Sequence, residues 1–180
     1  MTQQPTEDKS DKTAIIVIVI AVCCMFAFGS LVIIGILAAI ALPNFIGAQE
    51  KAKEASVRAN MRTAQIATEM YGVDHEGVYP EKLDNVYQSY FPGGDSQSKP
   101  GNAPVNPFTG NPEWPTVGNT IKTVQLARED SSGQLEPGQV EYTPIFDAAH
   151  KPTAYAIRGG GKNGLLIRGA NGKALVLSNQ

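Results

Sequence analysis

The chain has 180 residues, with 15 Lys and Arg against 17 Asp and Glu, two cysteines and 42% hydrophobic residues. This composition excludes disordered, collagen-like and disulfide-stapled proteins, and the length fits one ordinary domain with or without an appendage. The charges are unevenly spread, because none occurs among the 37 residues from 13 to 49. Such a gap excludes a simple water-soluble domain.

A long apolar segment follows a polar beginning. The 29 residues from 14 to 42 are interrupted only by one serine and two glycines, and a bilayer core needs about 20 helical residues. A cleaved signal peptide is the alternative, but its apolar region would be about twice the usual length. We predict a polar tail over residues 1–12, a transmembrane helix over residues 13–43 and a globular head over residues 44–180.

The helix is expected to continue into the head. Pro43 removes one helical hydrogen bond, so the helix bends there without having to stop. Beyond it, apolar residues recur every three or four positions, as on one face of a helix. They are Phe45, Ala48, Ala52, Ala55, Ala59, Ile66, Met70 and Val73. Small residues on this stripe permit close approach of another element, and the predicted helix runs from residue 14 to residue 71.

Turns, loops and strands fill the rest of the chain. A turn at residues 74–77 precedes a short helix near residues 81–90. Proline and glycine are so dense over residues 92–119 that no regular structure is expected there. Asn-Gly pairs at 163–164 and 171–172 predict two-residue hairpins. The predicted strands are 120–127, 139–146, 153–158, 165–168 and 174–177. The fold class is therefore α+β, with an antiparallel sheet whose apolar face can bury the amphipathic half of the long helix.

Charge is polarised along the head. Residues 74–147 have a net charge of −7, whereas residues 148–180 carry five cations and no acid. A solvated sheet face beside an acidic loop explains this pattern, and complementarity between neighbouring copies is a second explanation. A nucleic-acid surface is not favoured, because the cations are separated and few aromatic residues lie between them.

No arrangement of residues predicts catalysis. His75 lies between two acidic residues on a turn, where charged groups simply meet solvent, and His150 is isolated. Residues 159–162 read Gly-Gly-Gly-Lys but lack the spacing of a phosphate loop, so a hairpin turn is expected. Cys23 and Cys24 are adjacent within the apolar segment. We predict no enzymatic activity, no cofactor and no metal ion.

Residues 33–45, IIGILAAIALPNF, resemble the N-terminal helix of type IV pilins and of the pseudopilins of type II secretion. The resemblance continues through the Ala-rich helix, and residues 104–110, PVNPFTG, are similar to the head of the major pseudopilins. It implies a pilin-like fold and a bacterial inner-membrane protein with a single span. It also implies a periplasmic or extracellular head, with a place in a surface filament as one possibility.

The resemblance implies that the N-terminal helix mediates self-association. The candidate packing residues are Ile33, Gly35, Leu37, Ala38, Ile40, Ala41, Pro43, Phe45, Ala48, Ala52 and Ala55. The implied partners are other copies of the chain, inner-membrane pilus or secretion assembly proteins, and membrane lipid. Nucleic acid is not an expected partner.

Three features depart from the family pattern. Counting back from Pro43, the glycine that precedes the family's cleavage site is replaced by Ala21, and the helix glutamate by Phe26. These two losses fit together, because a carboxylate at that depth costs about 2.5–3.5 kcal/mol unless it is paired. In the family a neighbour's new N-terminal amine can pair it. Residues 148–180 also lack the acidic ligands of calcium-binding major pseudopilins.

Three functions follow as hypotheses. The first is a structural subunit of a type IV pilus or type II secretion pseudopilus, serving secretion, adhesion or motility. The alternative is an uncleaved, membrane-tethered pilin-like domain that acts as an accessory interaction protein without polymerising. A binding module that captures DNA or a surface through the basic C-terminal sheet is a weaker third reading.

Overall fold

A computed structural model of the chain describes residues 8–118, 121–130 and 133–180. Side chains are described from Lys12 onward in these ranges, except those of Pro43 and Asn44. Most of the predicted polar tail, residues 1–7, therefore lies outside the described residues. Architecture of the α+β class is confirmed, with a long N-terminal helix and a small sheet.

The first helix, α1, extends over the 67 residues Asp8–Asp74 and is helical through Pro43. The predicted long helix is thus confirmed and is longer at both ends. The chain divides into two compact units, Met1–Ala48 and Gln49–Gln180, with the boundary inside α1. All other elements belong to the second unit. They are α2 (Asn85–Gln88), β1 (Thr116–Val117), α3 (Val124–Glu129), β2 (Val140–Phe146) and β3 (Pro152–Gly159).

The short helix predicted near residues 81–90 is α2, and it begins where a side chain caps it. Asp84 accepts hydrogen bonds from the amides of Val86 and Tyr87, both at 3.1 Å. Such a cap satisfies amide groups that have no partner inside the helix. Asp84 therefore defines the start of α2.

The sheet is mixed, so the prediction of an antiparallel sheet is wrong in part. Its order is β1-β2-β3, with β2 and β3 antiparallel and β1 parallel to β2. Strand β1 comes from the loop at residues 92–119, where no regular structure was expected. A parallel pair needs a long crossover, and the segment that contains α3 supplies it.

The strand predicted over residues 120–127 is also wrong, because α3 begins at Val124 and occupies the second half of that segment. The side chain of Thr123 accepts a hydrogen bond from the amide of Leu126 at 3.2 Å. This N-cap is followed by good helix formers, Gln125 to Glu129. A local cap thus outweighs the β-branched residues that suggested a strand.

The last two predicted strands are single β-bridges rather than strands. The bridges join Gly160 to Leu166, Arg168 to Ala174 and Ile157 to Leu177. Both Asn-Gly turns form, but each hairpin loop has three residues instead of the predicted two. The closing bonds run from the Gly161 amide to the Leu165 carbonyl and from the Gly169 amide to the Lys173 carbonyl, at 2.8 and 2.9 Å.

The glycine run at residues 159–161 is not the predicted hairpin turn. Gly159 ends β3, and the turn lies beyond the run, where Gly164 has a φ of +73°. A Cβ atom on Gly159 would lie 2.7 Å from Met61 Sδ and 2.9 Å from a methyl carbon of Val57. The absence of a side chain at Gly159 therefore lets α1 approach the sheet closely.

Two apolar layers cover the two faces of the sheet. On one face, Tyr142, Tyr155 and Ile157 pack with buried residues of α1. On the other face, the cluster contains residues from α3, β2, β3 and the segment before α3. These are Ile121, Val124, Ala127, Ile145, Ala154 and Ala156. The side-chain alternation of β2 and β3 thus serves both layers.

Candidate functional site

The second-unit part of α1 has two apolar faces. The core face consists of Val57, Met61, Ala64, Ala67 and Thr68, all at most 1% exposed. The outward stripe consists of Ala52, Ala55, Ala59, Ile66, Met70 and Val73, which are all exposed. At about 100° per residue, the two sets lie on opposite sides of the helix. The sheet therefore packs against the face of α1 that the sequence reading did not single out.

The larger residues of the outward stripe are strongly exposed. Ile66 is 55%, Met70 44% and Val73 81% exposed. Isolated apolar residues on a surface are ordinary, whereas a contiguous row of them indicates an interaction surface. The missed core face was visible in the sequence as a second series, 57, 61, 64 and 68, with the same spacing.

The predicted packing residues lie along exposed parts of α1. The exposed ones are Ile33, Gly35, Leu37, Ala38, Ile40, Ala41, Phe45, Ala48, Ala52 and Ala55. The side chain of Pro43 lies outside the described residues. Ala52 and Ala55 belong to the outward stripe, and the others up to Ala48 belong to the first unit.

The N-terminal part of α1 is long and apolar enough to cross a membrane. Its most apolar window has a mean hydropathy of 3.0, and none of that window is buried. Large residues such as Phe26 and Phe28 are 74% and 73% exposed. Length and composition are those of a membrane span, and exposure of this kind is costly in water.

Charged and polar residues border the outward stripe on its two flanks. Lys51, Arg58 and Arg62 form a basic ridge on one flank, spaced by seven and four residues. Ser56, Thr63 and Asp74 lie on the other flank, where Asp74 is the only charged member of this set. Glu69, seven residues beyond Arg62, lies on the same flank as the ridge, so that flank is basic only over residues 51–62 and the other flank is acidic only at Asp74.

The basic ridge has no carboxylate partner among the described residues. Arg58 donates to the carbonyl of Arg168 at 2.9 Å, and Arg62 donates to the side chain of Gln65 at 2.8 Å. Across the stripe, Asp74 accepts a hydrogen bond from the hydroxyl of Tyr90 at 3.0 Å. The two flanks therefore present charges that this chain does not neutralise internally by an ion pair.

A shallow groove of about 330 Å³ lies beside the stripe. Ile66 and Met70 form one wall, and the segment from Ser89 to Ser96 forms the other. The carboxylate of Asp95 orders the chain that follows this segment by accepting hydrogen bonds from the amides of Gln97, Ser98 and Lys99. These backbone bonds lower the pKa of Asp95.

All six tyrosines of the chain lie in or against the apolar cluster that packs on the core face of α1. Tyr155 and Tyr79 donate to the two carboxylate oxygens of Glu69 on α1, and Tyr87 shares a hydrogen bond with Thr68 at 3.0 Å. Burial raises the pKa of each tyrosine hydroxyl. The residues are Tyr71, Tyr79, Tyr87, Tyr90, Tyr142 and Tyr155. These contacts define which face of α1 turns outward.

The remaining candidate groups have structural contacts. His75 stacks on Tyr71 with ring centroids 3.8 Å apart, and His150 stacks on Phe146 at 4.8 Å. Cys23 and Cys24 are both free and exposed. Within the described ranges, no group of three or more His, Cys, Asp or Glu residues is placed to hold a metal ion.

No family model, no curated protein and no solved structure matches this chain. The geometry of α1 is therefore the basis on which a function can be argued. Its central element is an exposed apolar stripe, flanked by charge, on a helix whose opposite face is committed to the core.

Proposed function

We propose that this chain is a membrane-anchored, pilin-like structural subunit that self-associates through the outward stripe of α1. The observation behind the proposal is that α1 has two apolar faces, of which the sheet covers one. The stripe begins beyond Glu50 and Lys51, where charges return to the sequence, so lipid is not its natural cover. A second copy of the same helix fits it better.

The resemblance of residues 33–45 to pilin helices supports the same proposal. It implies a location in a bacterial inner membrane, a single transmembrane span and a periplasmic or extracellular head. The resemblance implies inner-membrane pilus or secretion assembly proteins as partners. It also implies a role in secretion, adhesion or motility. The role is structural, with no catalytic step.

Crosslinking of the full chain in phospholipid vesicles tests the proposal. Wild-type chains should give a ladder of oligomers with an amine-reactive crosslinker. Ala55→Glu places a charge on the stripe, which should weaken association by about tenfold or more because that charge would lose its water. Glutamate is a good helix former, so α1 itself should persist.

Ala148→Glu is the matched control, because Ala148 is exposed in the second unit and lies outside α1. Its ladder should equal that of the wild type, and circular dichroism should show equal folding of both variants. An unchanged ladder for Ala55→Glu would show that the stripe is not the association surface.

The second candidate, a tethered accessory domain that does not polymerise, is favoured by Ala21 and Phe26 at the positions of the family's processing glycine and glutamate. Intact mass of the protein from membranes and from sheared surface fibres separates the two. A chain starting near Val22 supports pilin-type assembly. A chain that retains Met1 and is missing from fibres supports the tethered domain.

A further inference from the structure

Charged side chains of both signs meet where the hairpin at residues 161–165 lies against α1. They line a depression of about 370 Å³. One pair is neutralised there, because the ammonium of Lys162 forms an ion pair with the carboxylate of Glu50. The other charged side chains that line the depression are Glu54, Arg58 and Arg168.

These three side chains have no charged partner in the part of the chain that the structure describes. Arg58 donates to the backbone carbonyl of Arg168 at 2.9 Å, which brings its guanidinium to the base of the Arg168 side chain. Arg168 in turn donates to the carbonyl of Gly172 at 3.0 Å. Glu54 is half-buried, whereas both arginines are exposed. Two positive charges and one negative charge therefore border the same depression without an ion pair between them.

For a membrane-anchored chain, the depression falls at the level of the lipid headgroups. Glu50 follows Ile46, the last large apolar residue of the uncharged segment, by four residues, which is about 6 Å at the rise of an α-helix. The polar layer of each leaflet is about 5–8 Å thick, since a bilayer measures about 40–45 Å against about 30 Å for its hydrocarbon core. The ion pair with Glu50 holds Lys162 and its hairpin at this level.

A phosphodiester next to a primary ammonium group complements the three charges. Guanidinium groups bind phosphate oxygens through charge-assisted hydrogen bonds, and Arg58 and Arg168 lie together at one side of the depression. An ammonium group has three donors, and the Glu54 carboxylate is an acceptor for them. A phosphoethanolamine headgroup carries both groups, two carbon atoms apart. A choline headgroup has no N–H to donate, and a glycerol headgroup has no cation.

From these observations we infer that the depression binds the headgroup of an ethanolamine phospholipid, with its phosphate against Arg58 and Arg168 and its ammonium against Glu54. The inference rests on the membrane anchor of the proposed function, and it does not require self-association. A bound lipid ties the hairpin to the bilayer surface, which gives the head a second attachment to the membrane besides α1.

Native mass spectrometry of the full chain in detergent, with one phospholipid added at a time, tests the site. Phosphatidylethanolamine and phosphatidylcholine are a matched pair, because they have the same net charge and differ in whether the nitrogen carries N–H groups. The phosphatidylethanolamine adduct should be about tenfold more abundant, since its ammonium donates to Glu54. Equal adducts of the two lipids would overturn the inference. A stronger adduct of phosphatidylglycerol would also overturn it, because that result indicates a site for anions alone.

Two variants separate the two halves of the site. Glu54→Gln should lower the phosphatidylethanolamine adduct to the level of phosphatidylcholine, whereas Arg168→Gln should lower both adducts by about fivefold. Glu76→Gln and Lys99→Gln, at exposed positions that do not line the depression, are the matched controls and should keep the wild-type pattern. Circular dichroism checks that all variants are equally folded. A preference for phosphatidylethanolamine that survives Glu54→Gln would contradict the assigned role of this carboxylate and overturn the inference.

Glycerophosphoethanolamine, which has the same headgroup without acyl chains, distinguishes a lipid from a soluble ligand. It should not displace the lipid at equal concentration, because the acyl chains keep the lipid in the micelle that holds α1. Displacement would overturn the assignment to a lipid. Loss of the lipid preference with an intact oligomer ladder in vesicles would remove this inference alone. Loss of the ladder with the preference intact would support the lipid site and remove self-association alone.

Discussion

Arg158 is a buried cation on the face of the sheet that points away from α1, and its side chain is 4% exposed. Its guanidinium donates to Glu141 at 2.7 and 3.0 Å and to Asp130 at 3.1 Å. Glu141 lies directly opposite Arg158 in the antiparallel pair of β2 and β3. The basic C-terminal segment noted in the sequence therefore contributes one of its five cations to the interior.

Arg158→Leu should destabilise the second unit by about 3–5 kcal/mol, since it leaves the Glu141 carboxylate buried without a partner. Thermal unfolding of the full chain in detergent measures this loss. Replacing Glu141 with Leu as well should recover a large part of it. Equal stability of the single and double variants would contradict this account of the pair.

Tyr90 gives a pH dependence of stability. Burial, with the hydrogen bond to Asp74, raises its pKa to about 12, whereas tyrosine in an unfolded chain titrates near 10. Between these two pH values the Tyr90 hydroxyl keeps its proton in the folded state, whereas the unfolded chain releases it. This stability is complete below a pH of about 10 and is lost as the pH rises to about 12.

The expected result is a melting temperature that falls between these pH values in step with phenolate absorbance. Tyr90→Phe should make the fall shallower, because one phenolic proton is removed from the linkage. An identical slope for the variant would show that Tyr90 does not contribute.

At the scale of elements, the two faces of α1 should respond differently to the same change. Met61→Ala removes a side chain that is fully buried against Gly159 and the sheet, and should cost about 2–5 kcal/mol. Met70→Ala alters a 44% exposed side chain and should change stability by about 0.5 kcal/mol or less. Unfolding of both variants under dilute conditions checks this difference, and similar losses would contradict the assignment of faces.

Some elements were predictable from the sequence because their signals are local. Helical periodicity predicts α1, and the strand-like segments 139–146 and 153–158 predict β2 and β3 to within one residue at each end. Strand β1 could not be predicted, because it has two residues and is defined by its pairing with β2, which is distant in sequence. The orientation of α1 could not be predicted either, since both of its faces are apolar and the contacts that select between them, such as those of Gly159 and the tyrosines, are distant in sequence.

The candidate site shows the same division. The sequence predicts an Ala-rich stripe suited to close approach, and that stripe is present and exposed. What the stripe does not reveal is that the sheet uses the opposite face, which depends on residues far away in sequence, such as Tyr155 and its hydrogen bond to Glu69. The charges beside the stripe can be interpreted only once it is known which face of α1 points outward.

At the scale of the molecule, the charge gap at residues 13–49 and the outward stripe are two parts of one proposed design. According to the proposed function, the apolar segment would insert every copy in the same direction, and the stripe would then allow parallel contact between heads. In this account membrane insertion also concentrates the chains, so that a modest helix surface is enough for association.

The most direct test is the protection of Ile66 by a second copy. Full-length chains with Ile66→Cys, in the Cys23→Ser and Cys24→Ser background, are labelled with a maleimide in vesicles at low and at high protein density. Ser98→Cys, on an exposed loop, is the control. We predict that labelling of Cys at position 66 slows by about tenfold at high density while the control is unchanged. Equal labelling of position 66 at both densities would contradict self-association through the outward stripe.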